Sequence, residues 1–340
     1  MSFAAIITTI QAPTPAVRAW SDLLGTYNAR LIVAGDKKGP AAYDLRHTTF
    51  YSLSAQLEMP FALAKLLPTG HYTRKNLAYL AAIRDKAPAI FETDDDNAPL
   101  PNWRPRTVRT TGTLATPDPR TAPWHNAYTE FSDEPVWPRG YPLRYIVASL
   151  DKTSPRAAGA AKALDCPIQQ SLANGSPDVD AVWRLTQDRD FDFAPATPSV
   201  LLPAGLYCPF NSQATWWFEP AYPLMYLPST CTFRMTDIWR SFIAQRCLWE
   251  LSAESALVFH EADVVQARNP HDLMRDFADE VPGYLHNERI VQILAGLELK
   301  KGPSNVAENL LTCYRALTAQ QIFRPEEMGM VEAWVAGLGR

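Results

Sequence analysis

The feature that most restricts the fold lies in residues 4–36, where two β-branched apolar runs flank one amphipathic segment. "AAIITTI" (4–10) has the length and composition of a strand. "PTPAVRAWSDLLGTYNA" reads as a helix: Pro15 suits its first turn, and Val17, Trp20, Leu23 and Leu24 share a face. "RLIVAGD" (30–36) is a second buried strand ending in Gly35 and Asp36. Strand, helix and strand in so short a span form the unit of a parallel sheet. Such sheets place ligands beyond the carboxyl ends of their strands, which is where "GDKKGP" (35–40) falls.

The pattern then repeats. "YTRKNLAYLAAIRDKA" (72–87) predicts a helix with Leu77, Leu80, Ala81 and Ile83 facing inward. "PAIFETDDDN" (88–97) predicts a strand running directly into Asp94, Asp95 and Asp96. Both rounds therefore bring carboxylates to one rim of the sheet. Residues 98–235 are irregular, with strands expected at "RYIVASL" (144–150) and "SVLLPAG" (199–205) between Pro- and Asn-rich loops. The 29 prolines are interleaved with aromatics, which favours long ordered loops over disorder. "MTDIWRSFIAQRCLWEL" (235–251) reads as a helix and "ALVFHEADVVQARN" (256–269) as a strand. From Gly283 onward three helical segments follow. The expected organisation is an α/β domain over 1–282 and a helical C-terminal extension over 283–340.

Composition narrows the function. With 47% apolar residues the chain can bury a sizeable core. A net charge of -4 without a basic block argues against nucleic acid as a partner. The five cysteines (Cys166, Cys208, Cys231, Cys247, Cys313) are odd in number and form no CxxC pair, so neither a disulfide framework nor a zinc ribbon is expected. Buried thiols in a reducing, cytoplasmic setting fit better. "MSFAAIITTI" lacks the charged start of a signal peptide, and later apolar stretches are interrupted by proline. No transmembrane segment is expected, although peripheral membrane contact is compatible with the composition.

Three consecutive aspartates repel one another, and a turn or helix cap can use only one. A divalent cation is the cheapest way to hold several carboxylates together, and Mg²⁺ or Mn²⁺ commonly takes one or two of them plus substrate phosphate oxygens. The alternative is a solvated acidic turn. An EF-hand is excluded, because the downstream Gly and Glu are missing. Arg74 and Lys75 stand in the first turn of the predicted helix, where the macrodipole disfavours cations. They are expected either to face a bound pyrophosphate near Asp94 and Asp96 or to be ordinary surface residues. The same applies to Lys37 and Lys38, beside Asp36.

The blocks "VAGDKKGP", "YTRKNLAYLAAI", "IFETDDDN", "VWPRGYPL", "IQQSLANGSPDVDAVWRLT" and "CTFRMTDIWRSFIAQRCLWE" together resemble the STELLO-type glycosyltransferase family, in order, from about residue 30 to 275. "RGYPL" and "SPDVDAVWRL" more distantly resemble the reversibly glycosylated polypeptides, which are UDP-arabinopyranose mutases. Both resemblances imply a GT-A type, Rossmann-like nucleotide-sugar-binding domain with an Asp-x-Asp (DXD) metal site. They assign Asp94 and Asp96 to the metal, and Asp94 and Asp95 to the diphosphate. Asp36, Lys37, Arg74 and Lys75 would line the same nucleotide-sugar site. Arg139 matches the arginine of the mutase "RGYP" segment, which is associated there with reversible sugar attachment. Asp237 falls where such enzymes put an acidic residue near the acceptor. Asn174, Asp178 and Asp180, in "ANGSPDVDA", are candidate sugar-hydroxyl partners, and "FNSQATWW" (210–217) sets amides beside rings that suit a carbohydrate. The resemblance departs at Val264, where a late histidine ligand is expected; His260 and His271 are nearby substitutes.

The expected function is a metal-dependent glycosyltransferase, using Mn²⁺ or Mg²⁺ and a nucleotide sugar, preferentially a UDP-sugar, to modify a glycan or small acceptor in polysaccharide biosynthesis. Asp237 and Arg139 are the expected catalytic residues. The alternatives are a nucleotide-sugar pyranose/furanose mutase, and a non-catalytic scaffold of glycan synthesis.

Overall fold

A computed structural model describes residues 3–187, 189–268 and 271–339. The chain begins with β1 (Ala4–Thr8), α1 (Pro15–Thr26), β2 (Arg30–Ala34) and β3 (Thr48–Tyr51), followed by the short helices α2 (Leu53–Leu57) and α3 (Leu63–Leu66). Next come α4 (Lys75–Arg84), β4 (Ala89–Thr93), β5 (Asn97–Pro99) and β6 (Arg109–Leu114). The middle holds α5 (Ile146–Ser149), β7 (Lys162–Gly175), α6 (Ala181–Gln187), β8 (Val200–Leu202) and β9 (Ala214–Phe218). The last part holds α7 (Thr236–Leu248), β10 (Ser255–Gln266), α8 (Leu273–Ala295), α9 (Val306–Ala319) and α10 (Glu326–Gly337).

Among the described residues, ten strands form one mixed sheet in the order β3-β2-β1-β4-β9-β7-β6-β8-β10-β5, with β7 also pairing with β10. The expected βαβ unit is present: β1 lies parallel to β2 on one side and to β4 on the other. Direction reverses at β9, which is antiparallel to both β4 and β7. The acidic run therefore leaves the last strand of the parallel half, and β5 then crosses to pair with β10. Thr14 caps α1, its Oγ1 accepting from Val17 N, and Pro15 occupies the first turn, where its missing N–H costs nothing.

One face of the sheet packs Val17, Trp20 and Leu24 of α1 against Phe91, Trp103 and Trp216. The other carries α4, which is buried almost all round because α10 and the sheet enclose it. Residues 282 and 283 both lie within α8, and Ile290, Leu294, Leu310, Leu317 and Trp334 share one apolar core with Ile6 and Ile90. Trp334 donates its indole N–H to Pro223 O at 2.9 Å, with its ring edge-on to Tyr79. Glu327 accepts from Tyr226 Oη at 2.6 Å and from the amides of Ser229 and Thr230.

Four sequence expectations are corrected. "RYIVASL" is not a strand: it forms a 3₁₀ turn and α5, with Val147 83% exposed. The stretch from 98 to 235 contains β5, β6, the fourteen-residue β7 and β9 in addition to the expected β8. The tryptophans of "FNSQATWW" do not face a ligand, because Trp216 and Trp217 are fully buried in β9. The strand expected to reach residue 269 ends at Gln266, and Asn269 lies outside the described residues. No cysteine is in a disulfide, and Cys247 Sγ lies 3.8 Å from Cys313 Sγ.

Candidate active site

A cavity of about 780 Å³ opens at the carboxyl edge of β1, β2 and β4, in the size range of roughly 300–1,000 Å³ usual for small-molecule sites. One wall is acidic and combines Asp36 with Asp94, Asp95 and Asp96. Arg139, Arg184, Arg234 and Arg268 also line it.

The three aspartates are anchored differently. Asp95 accepts from Thr9 Oγ1, and its carbonyl accepts from Thr14 Oγ1 at 2.6 Å, which ties the turn to α1. Asp96 accepts from Gln266 Nε2 at 3.0 Å, and its carbonyl accepts from Ala267 N, which ties the turn to the end of β10. Asp94 accepts from Lys75 Nζ at 3.1 Å, and 37% of its side-chain surface opens to the cavity. Burial in the concave wall raises the Asp94 carboxyl to about 7; Lys75 works against that rise, and Asp96 and Asp237 add to it. Asp95 is also raised, chiefly by burial. Two anchored carboxylates facing a ligand-sized space, one of them held back from ionising, fit a divalent cation that completes its shell with substrate oxygens and water. Among the described residues no three His, Cys, Asp or Glu side chains form an all-protein cage.

Lys75 is fully buried and donates to Thr93 O and Ser212 O as well as to Asp94, so it stands behind the acidic wall. Arg74 does not join the site. Its guanidinium is buried, donates to Gln56 Oε1, Ala64 O and Leu67 O, and holds the α2–α3 segment. Asp36 lines the cavity, but its carboxylate is engaged by the amides of Lys37, Gly70 and His71 and fixes the loop before α4. Lys37 is exposed and outside the cavity wall, whereas Lys38 lines it.

Arg139 and Asp237 meet. Arg139 clamps Asp178 through Nε at 2.7 Å and Nη2 at 2.9 Å, and reaches both oxygens of Asp237 at 3.1 Å. Burial would lower Arg139, but the two carboxylates hold it well above its ordinary value. Burial works upward on Asp237, yet Arg139, joined by Arg240 and the Ser212 amide, keeps that carboxyl below the usual range. Local backbone chemistry permits this contact. Gly140 has φ +87°, and a Cβ there would stand 2.4 Å from Ile238 Cγ2, so only glycine lets the Arg139 turn lie against α7. Asn287 Nδ2 donates to Gly140 O at 2.8 Å and pins the same turn to α8.

Asn174 and Asp180 do not reach the cavity. Asn174 Oδ1 accepts from Phe193 N. Asp180 is fully buried, accepts from Trp183 N and Trp137 Nε1, and is raised to about 7 chiefly by burial; it caps α6. His260 is buried between Ser199 and Gln169, and Val264 lies in the sheet. His271 does line the cavity, with Nδ1 3.1 Å from Asp276.

Asn211, Ser212 and Gln213, the polar part of the "FNSQATWW" segment, line the cavity from the loop before β9. Other cavity residues carry no recognisable sequence signal. His71, Tyr72 and Phe233 make an aromatic lip, with His71 stacked on Tyr72 at 5.7 Å and Phe233 edge-on to Tyr72 at 4.6 Å. Phe233 is 51% exposed, and an apolar ring at a polar mouth suits a sugar face.

Residues 234–340 match a family model for STELLO glycosyltransferases. Two relatives from Arabidopsis thaliana are similar to the chain. It is 27% identical to "Probable glycosyltransferase STELLO2" over an aligned span of 327 positions that covers 91% of the chain and 41% of that protein. It is 25% identical to "Probable glycosyltransferase STELLO1" over an aligned span of 351 positions, gaps included, that covers 98% of the chain and 44% of that protein. The chain thus spans less than half the length of these relatives. No helix among the described residues is long and apolar enough to cross a membrane. The resemblance carried by the sequence blocks is borne out: the chain is similar to the STELLO-type glycosyltransferases along nearly all its length, on a mixed α/β fold of GT-A-like kind.

Proposed function

We propose that the chain is a glycosyltransferase that binds a nucleotide sugar, preferentially a UDP-sugar, in this cavity and passes the sugar to a glycan or small acceptor. The observation that carries the reading is the acidic turn after β4: it faces a ligand-sized cavity, and Asp94 is raised to about 7 even though Lys75 contacts it. Asp94 and Asp96 would hold a Mn²⁺ or Mg²⁺ ion. When bound, such an ion neutralises charge that develops on a departing diphosphate. Asp95, tied to α1, keeps the turn in register, and Lys75 supplies a fixed positive charge from behind. Tyr72 and Phe233 offer a flat apolar surface to a sugar ring. Asp237 is the proposed acid–base group; its ion pair with Arg139 keeps it ionised at neutral pH, at the cost of weak basicity.

The mutase alternative gains nothing from Arg139, whose donors are committed to Asp178 and Asp237. The scaffold alternative gives no reason for an acidic wall with one carboxyl kept partly protonated.

The test is calorimetric titration with a panel of nucleotide sugars, with and without Mn²⁺, on the wild type and on a double variant carrying Asp94→Asn and Asp96→Asn. The metal-dependent part of the affinity should vanish in the double variant. In the wild type, adding an acceptor should release free nucleoside diphosphate. Absence of nucleotide binding under every condition, or unchanged metal-dependent affinity in the variant, would overturn the reading.

A further inference from the structure

The positive wall of the cavity is not uniform. Arg234 is paired to Glu280 through Nε at 2.9 Å and Nη2 at 2.8 Å. Arg268 is paired to Asp276 at 2.6 Å. Arg139 is shared between Asp178 and Asp237. Arg184 differs from all three: it forms no ion pair with a carboxylate among the described residues. Of the nearby acids, Asp178 has both oxygens taken by the Arg139 fork, and Asp190 is exposed and forms no ion pair with Arg184.

Arg184 is also hard to explain as a solvated side chain. It leaves α6 with only 7% of its surface exposed. Nη2 donates to Pro177 O at 2.5 Å, while the buried Nε has no hydrogen-bond partner among the described residues. Its guanidinium sits beside the Trp183 ring at 5.3 Å, which shields it further from water. Burial lowers its basicity, with Arg268 and Arg234 contributing in the same direction, to about 10. A buried charge without a counter-charge is expensive, and Arg184, unlike the buried Arg74 with its three acceptors, has a single carbonyl acceptor and lines the cavity. Guanidinium is also the group best shaped to take a carboxylate or phosphate through paired N–H donors.

We propose that Arg184, supported by the field of Arg234 and Arg268, binds an anionic group, a carboxylate or a phosphate, carried by the transferred sugar or by the acceptor. This site is additional to the one for the donor diphosphate at Asp94 and Asp96. The inference rests on the nucleotide-sugar reading of the cavity and deepens it by naming the charge of the second reactant group. A uronate-type donor and an acidic acceptor share the chemistry.

The experiment separates these sources. Wild type, Arg184→Gln and Arg184→Lys are titrated with Mn²⁺ and UDP, UDP-glucose or UDP-glucuronate; glucuronate and inorganic phosphate are titrated in the presence of UDP and alone. If the anion is on the donor, UDP-glucuronate binds the wild type about 10-fold tighter than UDP-glucose, as one charge-assisted contact implies, and R184Q removes the preference while UDP affinity stays within about 2-fold. If it is on the acceptor, the two donors bind alike, and glucuronate or phosphate binds beside UDP in the wild type but not in R184Q. Arg184→Lys, which keeps the charge without the fork, should retain part of either effect and covers the case in which R184Q does not fold. Two results overturn the proposal: R184Q weakens UDP itself as much as any anionic ligand, or glucuronate and phosphate bind all three proteins equally or not at all while the two donors bind alike. If no nucleotide binds the wild type, the proposed function fails, and titration of glucuronate and phosphate alone still decides the role of Arg184.

Discussion

Glu92 and Asp94 are two residues apart on the same strand end, and their surroundings are opposite. Glu92 is fully buried and fully answered: Arg240 donates to its two oxygens at 2.8 and 3.0 Å, Trp217 Nε1 donates at 2.8 Å, and Tyr79 Oη donates as well. Arg240 in turn lies over the Trp217 ring at 5.0 Å. Asp94 has one cationic contact and an open side. The same contrast separates Arg240 from Arg184. Glu92 and Arg240 neutralise each other and hold the sheet to α7, whereas Asp94 and Arg184 line the cavity with less complete partners. Between these groups the difference is one of electrostatic completeness rather than residue type.

The sharpest way to break the closed half is to remove one partner. Arg240→Met leaves Glu92 ionised in the core and should cost about 3–5 kcal/mol of stability by urea denaturation, as expected for an orphaned buried charge. A loss below about 1 kcal/mol would mean that the pair is not closed as described. The open half should respond to pH. A carboxyl raised from 3.8 to about 7 keeps in the folded protein a proton that the unfolded chain has already released. Stability should therefore fall as pH rises between these values. Asp94→Asn should flatten that decline, with Asp180 and Asp95 unchanged as internal controls, and Mn²⁺ should stabilise the wild type more at the upper end of the window than at the lower. Thermal melts across pH with both proteins check this; parallel curves would contradict the raised Asp94. The smallest effect belongs to a surface pair. Arg109 and Asp165 are 56% and 50% exposed at 3.1 Å, and Arg109→Ala should change stability by no more than about 0.5 kcal/mol.

The contrast also explains what could be read from the sequence. The βαβ start and the acidic turn announce themselves because apolar period and charge run locally, and the structure brings Asp36 and Asp94 to Asp96 into one wall. β7 was hidden because Gln169, Gln170 and Ser171 interrupt its apolar pattern. They are buried, and the two glutamine amides are satisfied by carbonyls such as Thr107 O at 2.7 Å and Ser171 O at 2.7 Å. "RYIVASL" looked like a strand by composition, yet no neighbouring strand takes it up, and it closes as a turn and short helix. The helical position of Arg74 suggests either a phosphate partner or a surface residue, but it is neither, because three acceptors deeper in the protein claim it. Arg184 gave no signal, since "AVWRLT" reads as an ordinary amphipathic helix and a missing partner appears only in three dimensions.

Trp334 and Glu327 carry a practical consequence for shortened versions of the chain. A stop codon ahead of Glu326 would uncork an indole-sized hole beneath Tyr79 and strip the carboxylate that gathers Tyr226, Ser229 and Thr230. That strip of backbone leads directly to Phe233 and Arg234. Damage at the tail would thus be felt at the cavity's lip, although no described residue after 325 lines the cavity.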